Sequence, residues 1–244
     1  KVKSASLTVD FLKQNVDKKF IFSNFIFVSK DCREYAIQNL QYAIYEQDHK
    51  YLKTRNPIQY VDFIAPKDQL ANIEFYKNAV VVFFLTKLAT DVFVANTRLQ
   101  NVCNLKSSVW RKEELDFMKT ICNTEKIKEN AVLDSSNPIK KRGKCISYCE
   151  RNNLEYELIK DDDFKTFLKK MSSFKRLIFF TGHLETCARI LVEAKMLNLE
   201  VTYQKRLIGA ASEEWFSLSG IDMIDKMEDI SSHMPDKVLE YFND

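Results

Sequence analysis

Glycine is nearly missing from this chain: of 244 residues only Gly143, Gly182, Gly209 and Gly220 are glycine, and the first 142 residues contain none. A glycine-rich phosphate cradle is thereby excluded, since neither G-x-G-x-x-G nor G-x-x-x-x-G-K-[ST] can be written anywhere in it. Any bound phosphate must be held by side chains and helix ends. Long apolar runs are also lacking. The longest, Ala79 to Leu85 and Leu177 to Phe180, are strand-sized, well short of the roughly 20 residues of a membrane-crossing helix, so no transmembrane segment is expected. Histidine occurs at three scattered positions, 49, 183 and 233, and the six cysteines, at 32, 103, 122, 145, 149 and 187, form no C-x-x-C pair. That supply does not assemble four zinc ligands, so no metal is expected. The cysteine spacing also lacks the density of a disulfide scaffold, which points to reduced thiols and a cytoplasmic setting. Charge of one sign is scarce too. The formal net charge is +3, with 20 Lys+Arg against 15 Asp+Glu in residues 1–130 and 17 against 19 thereafter. That is too mild for a nucleic-acid binder, and Lys140-Lys141-Arg142 is the one dense basic run. The chain opens at Lys1 without a signal-peptide pattern, and a trimmed chain or fragment is expected.

What is present is the composition of a globular protein, 45% hydrophobic and 29% charged. At roughly 100 to 200 residues per domain the length suits two small domains. The segments Lys19 to Val28, Leu40 to Tyr45, Gln59 to Ala65 and Ala79 to Leu85 read as extended. Asp31 to Asn39, Ala71 to Asn78 and Trp110 to Thr124 read as helical. The charged stretch Asn123 to Asn130 is the expected boundary, giving lobes 1–130 and 131–244. The second lobe alternates regularly. Strands are expected at Ala131 to Leu133, Glu155 to Ile159, Arg176 to Phe180 and Leu199 to Tyr203, with helices at Ile139 to Asn152, Asp162 to Met171 and Glu185 to Leu197. Strand-helix alternation predicts an α/β protein with two Rossmann-like, doubly wound parallel-sheet lobes facing a cleft, and ligands at the carboxyl ends of the strands.

The most informative stretch is Thr181 to Val201, TGHLETCARILVEAKMLNLEV. Glu185 and Glu193 lie eight residues apart, so on one helix they would differ by roughly 80° and share a broad face. Glu185, seven residues, then Glu193-Ala194, placed after a strand and followed by a strand and the small-residue loop Arg206 to Glu213, resembles the C-terminal domain of retaining GT-B glycosyltransferases that use nucleotide sugars.

That resemblance implies a hexosyltransferase of carbohydrate biosynthesis. It would move a sugar from a nucleoside-diphosphate donor, a UDP- or GDP-sugar, to a saccharide, lipid or protein acceptor, with retention and without a metal or a separate cofactor. In the donor lobe it implies that the backbone of Gly182 to Thr186, with His183, meets the diphosphate at a helix N-terminus. Glu193 would hold the ribose, and Glu185 the sugar beside the reacting carbon. In Ser136 to Gly143, SNPIKKRG, the residues Lys141, Arg142 and Gly143 look like the K-G end of the family's basic pair. Asn137 stands where the family carries an arginine, which leaves leaving-group charge to Lys141 and Arg142. In the first lobe the resemblance is architectural only. It implies that His49, oriented by Asp48, faces the acceptor, and that Asn24, in the loop after the first strand, lies beside the diphosphate. Two rival readings are a catalytically silent binding or assembly module of the same architecture and another nucleotide-dependent α/β enzyme.

Overall fold

A computed structural model describes residues 1–243. The chain divides into two compact units. The first comprises Lys1–Lys106 and the stretch from Met234 onward, and the second Ser107–His233. The expected boundary at residue 130 is therefore displaced. Residues 107–130 belong to the second unit, because Trp110, Leu115 and Met118 bury their side chains there.

In the first unit, α1 (Val9–Gln14), β1 (Phe20–Phe22), α2 (Lys30–Asn39), β2 (Tyr42–Tyr45), α3 (Ile73–Lys77), β3 (Val81–Phe84), α4 (Lys87–Thr97) and β4 (Val102–Asn104) follow one another. All four strands are parallel, and their order across the sheet is their order in the chain. The run Val81–Phe84 is buried at every position, as a strand covered on both faces must be. Below it lies an aromatic core in which the Tyr42 and Phe75 rings stack at 4.8 Å and Phe93 packs against Tyr51, Tyr76 and Phe84. The segment Gln59 to Ala65 is not extended. It forms two short 3-10 turns in which Asp62 and Phe63 take positive φ, so its alternating apolar residues trace a loop.

The second unit contains α5 (Lys112–Ile121), β5 (Lys128–Leu133), α6 (Arg142–Arg151), β6 (Tyr156–Ile159), α7 (Phe164–Ser172), β7 (Phe174–Ile178), α8 (Arg189–Met196) and β8 (Glu200–Thr202). Its parallel sheet has the order β6-β5-β7-β8. The order reverses between β5 and β7, which is the doubly wound pattern with a topological switch point at that pair of strand ends. The expected doubly wound lobe is thus present here. The first sheet is parallel and α/β without a reversal. Helix α9 (Gly220–Glu240) contains the division between the units, next to Pro235. Among the described residues no helix is long and apolar enough to cross a membrane.

Candidate active site

At the switch point two loops leave the sheet, residues 134–141 after β5 and residues 179–188 after β7, and they are bonded to each other. The Gly182 amide donates to the Ile139 carbonyl at 2.7 Å, and the Lys140 ammonium reaches Glu185 Oε1 at 2.8 Å. Glu185 Oε1 also accepts from the Thr181 hydroxyl at 3.1 Å, and the same hydroxyl oxygen accepts from the His183 amide at 3.1 Å. Below them the Phe180 amide donates to Cys145 Sγ on α6 at 3.3 Å, tying the exit of β7 to that helix. Burial pushes the Cys145 and Cys149 thiols up, so both stay protonated and inert. The Lys141 side chain packs against Gly182, so a Cβ at this position would displace the flexible end of that lysine.

Helix α6 starts at this junction. Lys141, with φ 45°, is its N-cap; no acidic residue occupies its first turn, and Arg142 and Lys144 follow. The first amides of a helix have no intrahelical acceptor and carry the positive end of its dipole. Arg142 pairs with Asp134, and Lys140 is neutralised by Glu185. Lys141 and Lys144 form no ion pair among the described residues. Two cations outside any ion pair, Lys141 and Lys144, the latter 5.4 Å from the Phe180 ring centroid, therefore stand at a helix N-terminus at the switch point, an arrangement that attracts an anion.

The end of β5, the loop after β6 and helices α7 and α8 line a cavity of about 280 Å³, formed by Leu133, Asp161, Asp162, Phe164, Phe167, Ile190 and Glu193. Its character is the opposite: apolar and aromatic walls with three carboxylates. The Lys170 ammonium, 2.7 Å from Asp161, and the Asp163 amide hold the Asp161 carboxyl below the usual carboxylate range. Glu193 is 5% exposed, and its Oε1 accepts from Trp110 Nε1 at 3.1 Å and from Arg189 Nε at 3.2 Å. Burial pushes this carboxyl up, against the pull of Arg189 and Trp110.

Lys141, Arg142, Gly182, His183 and Glu185 are thus brought together, and Glu193 lies apart from them in the cavity lined by α7 and α8. One expectation about them fails. Helix α8 begins at Arg189, after Ala188 in the left-handed region, so Glu185 is not in its first turn and Gly182 to Thr186 is not its N-terminus. Glu185 instead forms a parallel bridge with Ile208, its amide bonded to Leu207 O and its carbonyl to the Gly209 amide. Thr186 is buried in the same loop. The helix end that serves the switch point is that of α6.

In the first unit, His49 is 2% exposed, with φ 54°, and its Nδ1 lies 3.0 Å from the Tyr51 hydroxyl. Asp48 pairs with Arg55 at 3.1 Å and Lys50 at 3.7 Å. The neighbouring ion pair of Glu46 and Lys50, 3.0 Å apart, is fully buried at the same strand end. Asn24 is exposed in the loop after β1, where its carbonyl accepts from the Ser4 hydroxyl. Sequence reasoning missed Trp110, Arg189, Lys144, Asp161 and the phenylalanines of the cavity. The one signal available for Arg189 was its place four residues before Glu193, which puts a cation and a carboxylate on one helix face.

No family model and no curated protein matches the chain. Among solved structures, HepE of Anabaena in complex with UDP and glucose aligns over 94% of this chain and 72% of its own at 11% identity and a TM-score of 0.45. The complex of HepE with UDP-glucose gives 94%, 72%, 10% and 0.44. An alpha-glucosyltransferase in complex with UDP-glucose and DNA containing an abasic site aligns over 98% of this chain and 77% of its own, at 12% identity and a TM-score of 0.43. The functional reading rests on the geometry of the second unit.

Proposed function

We propose that the second unit binds a nucleoside diphosphate sugar and that the chain is a glycosyltransferase. One observation carries this reading: the strand ends of a doubly wound sheet present both a cationic helix start, at α6, and a cavity of aromatic walls and carboxylates, lined by α7 and α8. A ligand suited to both is anionic at one end and flat with hydroxyl groups at the other, which is the chemistry of a nucleotide. The resemblance of the Glu185 to Ala194 segment to the donor lobe of GT-B glycosyltransferases supports the same assignment, with a UDP- or GDP-sugar as donor.

In this reading Lys141, Arg142, Lys144 and the α6 amides neutralise the diphosphate, whose negative charge grows as the bond to the anomeric carbon breaks. Glu185, fixed by Lys140 and Thr181, accepts hydrogen bonds from sugar hydroxyls. The acceptor hydroxyl forms the new bond to the anomeric carbon, and its proton passes to the departing phosphate oxygen. Charge stabilisation is supplied by side chains, and transfer proceeds with retention and without metal.

A thermal-shift panel of UDP, GDP, ADP, CMP and NAD tests the donor site. A ligand at 100 times its dissociation constant stabilises by about 2.7 kcal/mol. One nucleoside diphosphate is expected to shift the wild type, and the double variant Lys141→Ala/Arg142→Ala is expected to lose about 2–3 kcal/mol of that binding, the scale of hydrogen bonds to charged groups. Absence of a shift with all five refutes the donor site. Transfer is then read as release of that diphosphate from its sugar ester in the presence of acceptor.

A further inference from the structure

Glu193 poses a problem that its surroundings solve. A carboxylate on the wall of a largely apolar cavity and 5% exposed is driven toward its neutral form by loss of hydration. A neutral acid is a poor acceptor for ligand hydroxyls. Two residues counter this, and both bind the same oxygen.

Arg189 reaches Oε1 from one turn earlier on α8, and Trp110 Nε1 reaches it from a segment 83 residues away in sequence. The two donors brace each other: the Arg189 guanidinium lies over the Trp110 ring at 4.8 Å. Trp110 is 2% exposed, and its amide donates to the Ser231 hydroxyl at 3.4 Å. Arg189 extends on to Glu114 at 3.7 Å, and Glu114 Oε2 in turn accepts from the Arg111 amide at 3.0 Å. Oε1 is saturated by these donors, whereas Oε2 takes neither bond.

We infer that Trp110 and Arg189 are positioning residues that hold Glu193 by Oε1 and leave Oε2 to accept from the ribose 2′- and 3′-hydroxyls of the nucleotide. The inference rests on the nucleotide reading above. It assigns a ligand-recognition role to an indole that lies outside the cavity lining. The groups facing Glu193 are Arg189, Glu114, Cys187 and, across the cavity, Asp161 and Asp162. Only Arg189 among them is cationic, so removing either donor to Oε1 raises the pH at which Glu193 takes up a proton.

The test is calorimetric binding of UDP and GDP, and of their 2′,3′-dideoxy counterparts, from pH 5.5 to 8.5. Trp110→Phe keeps an aromatic ring and deletes the N–H. Arg189→Lys keeps the charge and deletes the Nε donor, and it carries the test if Trp110→Phe does not fold. Either variant is expected to weaken the ribonucleotide about tenfold, the value of one hydrogen bond to a charged group. The acid limb of affinity should move to higher pH, and the dideoxy ligand should lose much less. Carbon-detected titration of the Glu193 carboxyl in ligand-free protein is expected to show its midpoint raised in the same variants. Equal loss for ribo- and dideoxynucleotides, or an unmoved midpoint, overturns the role of Trp110 and Arg189 while leaving the nucleotide site standing. Failure of the wild type to bind either diphosphate overturns the nucleotide reading and this inference together.

Discussion

Each unit carries a lysine–glutamate pair beyond its strand ends, and the two pairs have opposite fates. Glu46 and Lys50 follow β2 and are 1% and 0% exposed. Lys140, after β5, and Glu185, after β7, are 28% and 16% exposed at a closely similar separation. The difference lies in what else is present. Glu46 also accepts from the Asp48 amide at 2.8 Å, from the Lys50 amide at 3.3 Å and from the Tyr76 hydroxyl, so both carboxylate oxygens are bonded within the protein. Burial first, and Glu46 next, push the Tyr51 and Tyr76 hydroxyls well above their usual range, which keeps them as neutral donors. At the second strand end the same ionic chemistry stays partly exposed, and the nearby Lys141 and Lys144 form no ion pair among the described residues. A buried polar cluster becomes architecture when its bonds are closed by the chain, and a site when some are left for a ligand.

The contrast can be broken most sharply at Lys50. Lys50→Met leaves Glu46 charged, buried and unpaired, and is expected to cost about 3–5 kcal/mol in denaturant unfolding. A loss below about 1 kcal/mol would place the pair with ordinary surface pairs and erase the distinction. A smaller effect is expected in the second unit at Lys126, whose ammonium bonds the carbonyls of Ser172 and Leu197 at 2.6 Å each, at the carboxyl ends of α7 and α8. Lys126→Met should cost about 1–2 kcal/mol through loss of these charge-assisted bonds and of the favourable helix-end charge, again read from unfolding midpoints. The smallest effect sharpens the comparison. Lys140→Gln should lower stability by less than about 1 kcal/mol, as partly exposed pairs do, and should change nucleotide affinity more than it changes the midpoint.

Strands were the legible part of the fold. Val81–Phe84, Tyr156–Ile159 and Glu200–Thr202 fall inside the expected strand segments. Val81–Phe84 is a continuous apolar run buried at every position, which has few alternatives to a strand covered on both faces. Helix starts were less legible. The segment Glu185 to Ala188 has the composition of a helical turn, yet pairing of Glu185 with Ile208 wins over local propensity, and Ala188 then takes a conformation that composition gives no reason to expect. Helices α4 and α9 went unread because Thr97 to Asn101 and Pro235 blur their ends. Of the candidate site, what was legible is that Lys141, Arg142, Gly182 and Glu185 gather at the ends of β5 and β7, because each follows an expected strand. The buried strand end of Glu46, His49 and Lys50 was not, because its bonds close across one turn of loop and with Tyr76 from another helix. Trp110 shows the limit most clearly: its partner is 83 residues away, and nothing in the neighbouring sequence reveals that the indole N–H has a carboxylate to bind.

The chain leaves the first unit at Lys106 and returns to it at Met234. In connectivity the second unit is therefore an insertion within the first. Halving the protein at a single peptide bond cannot yield two intact pieces: a break at residue 130 would strip α5 and Trp110 from the very unit whose cavity Glu193 lines. Excision between the two crossings, with the flanking segments rejoined, is the dissection that keeps each hydrophobic interior whole, and it makes gene-level separation of the two units a matter of two joints.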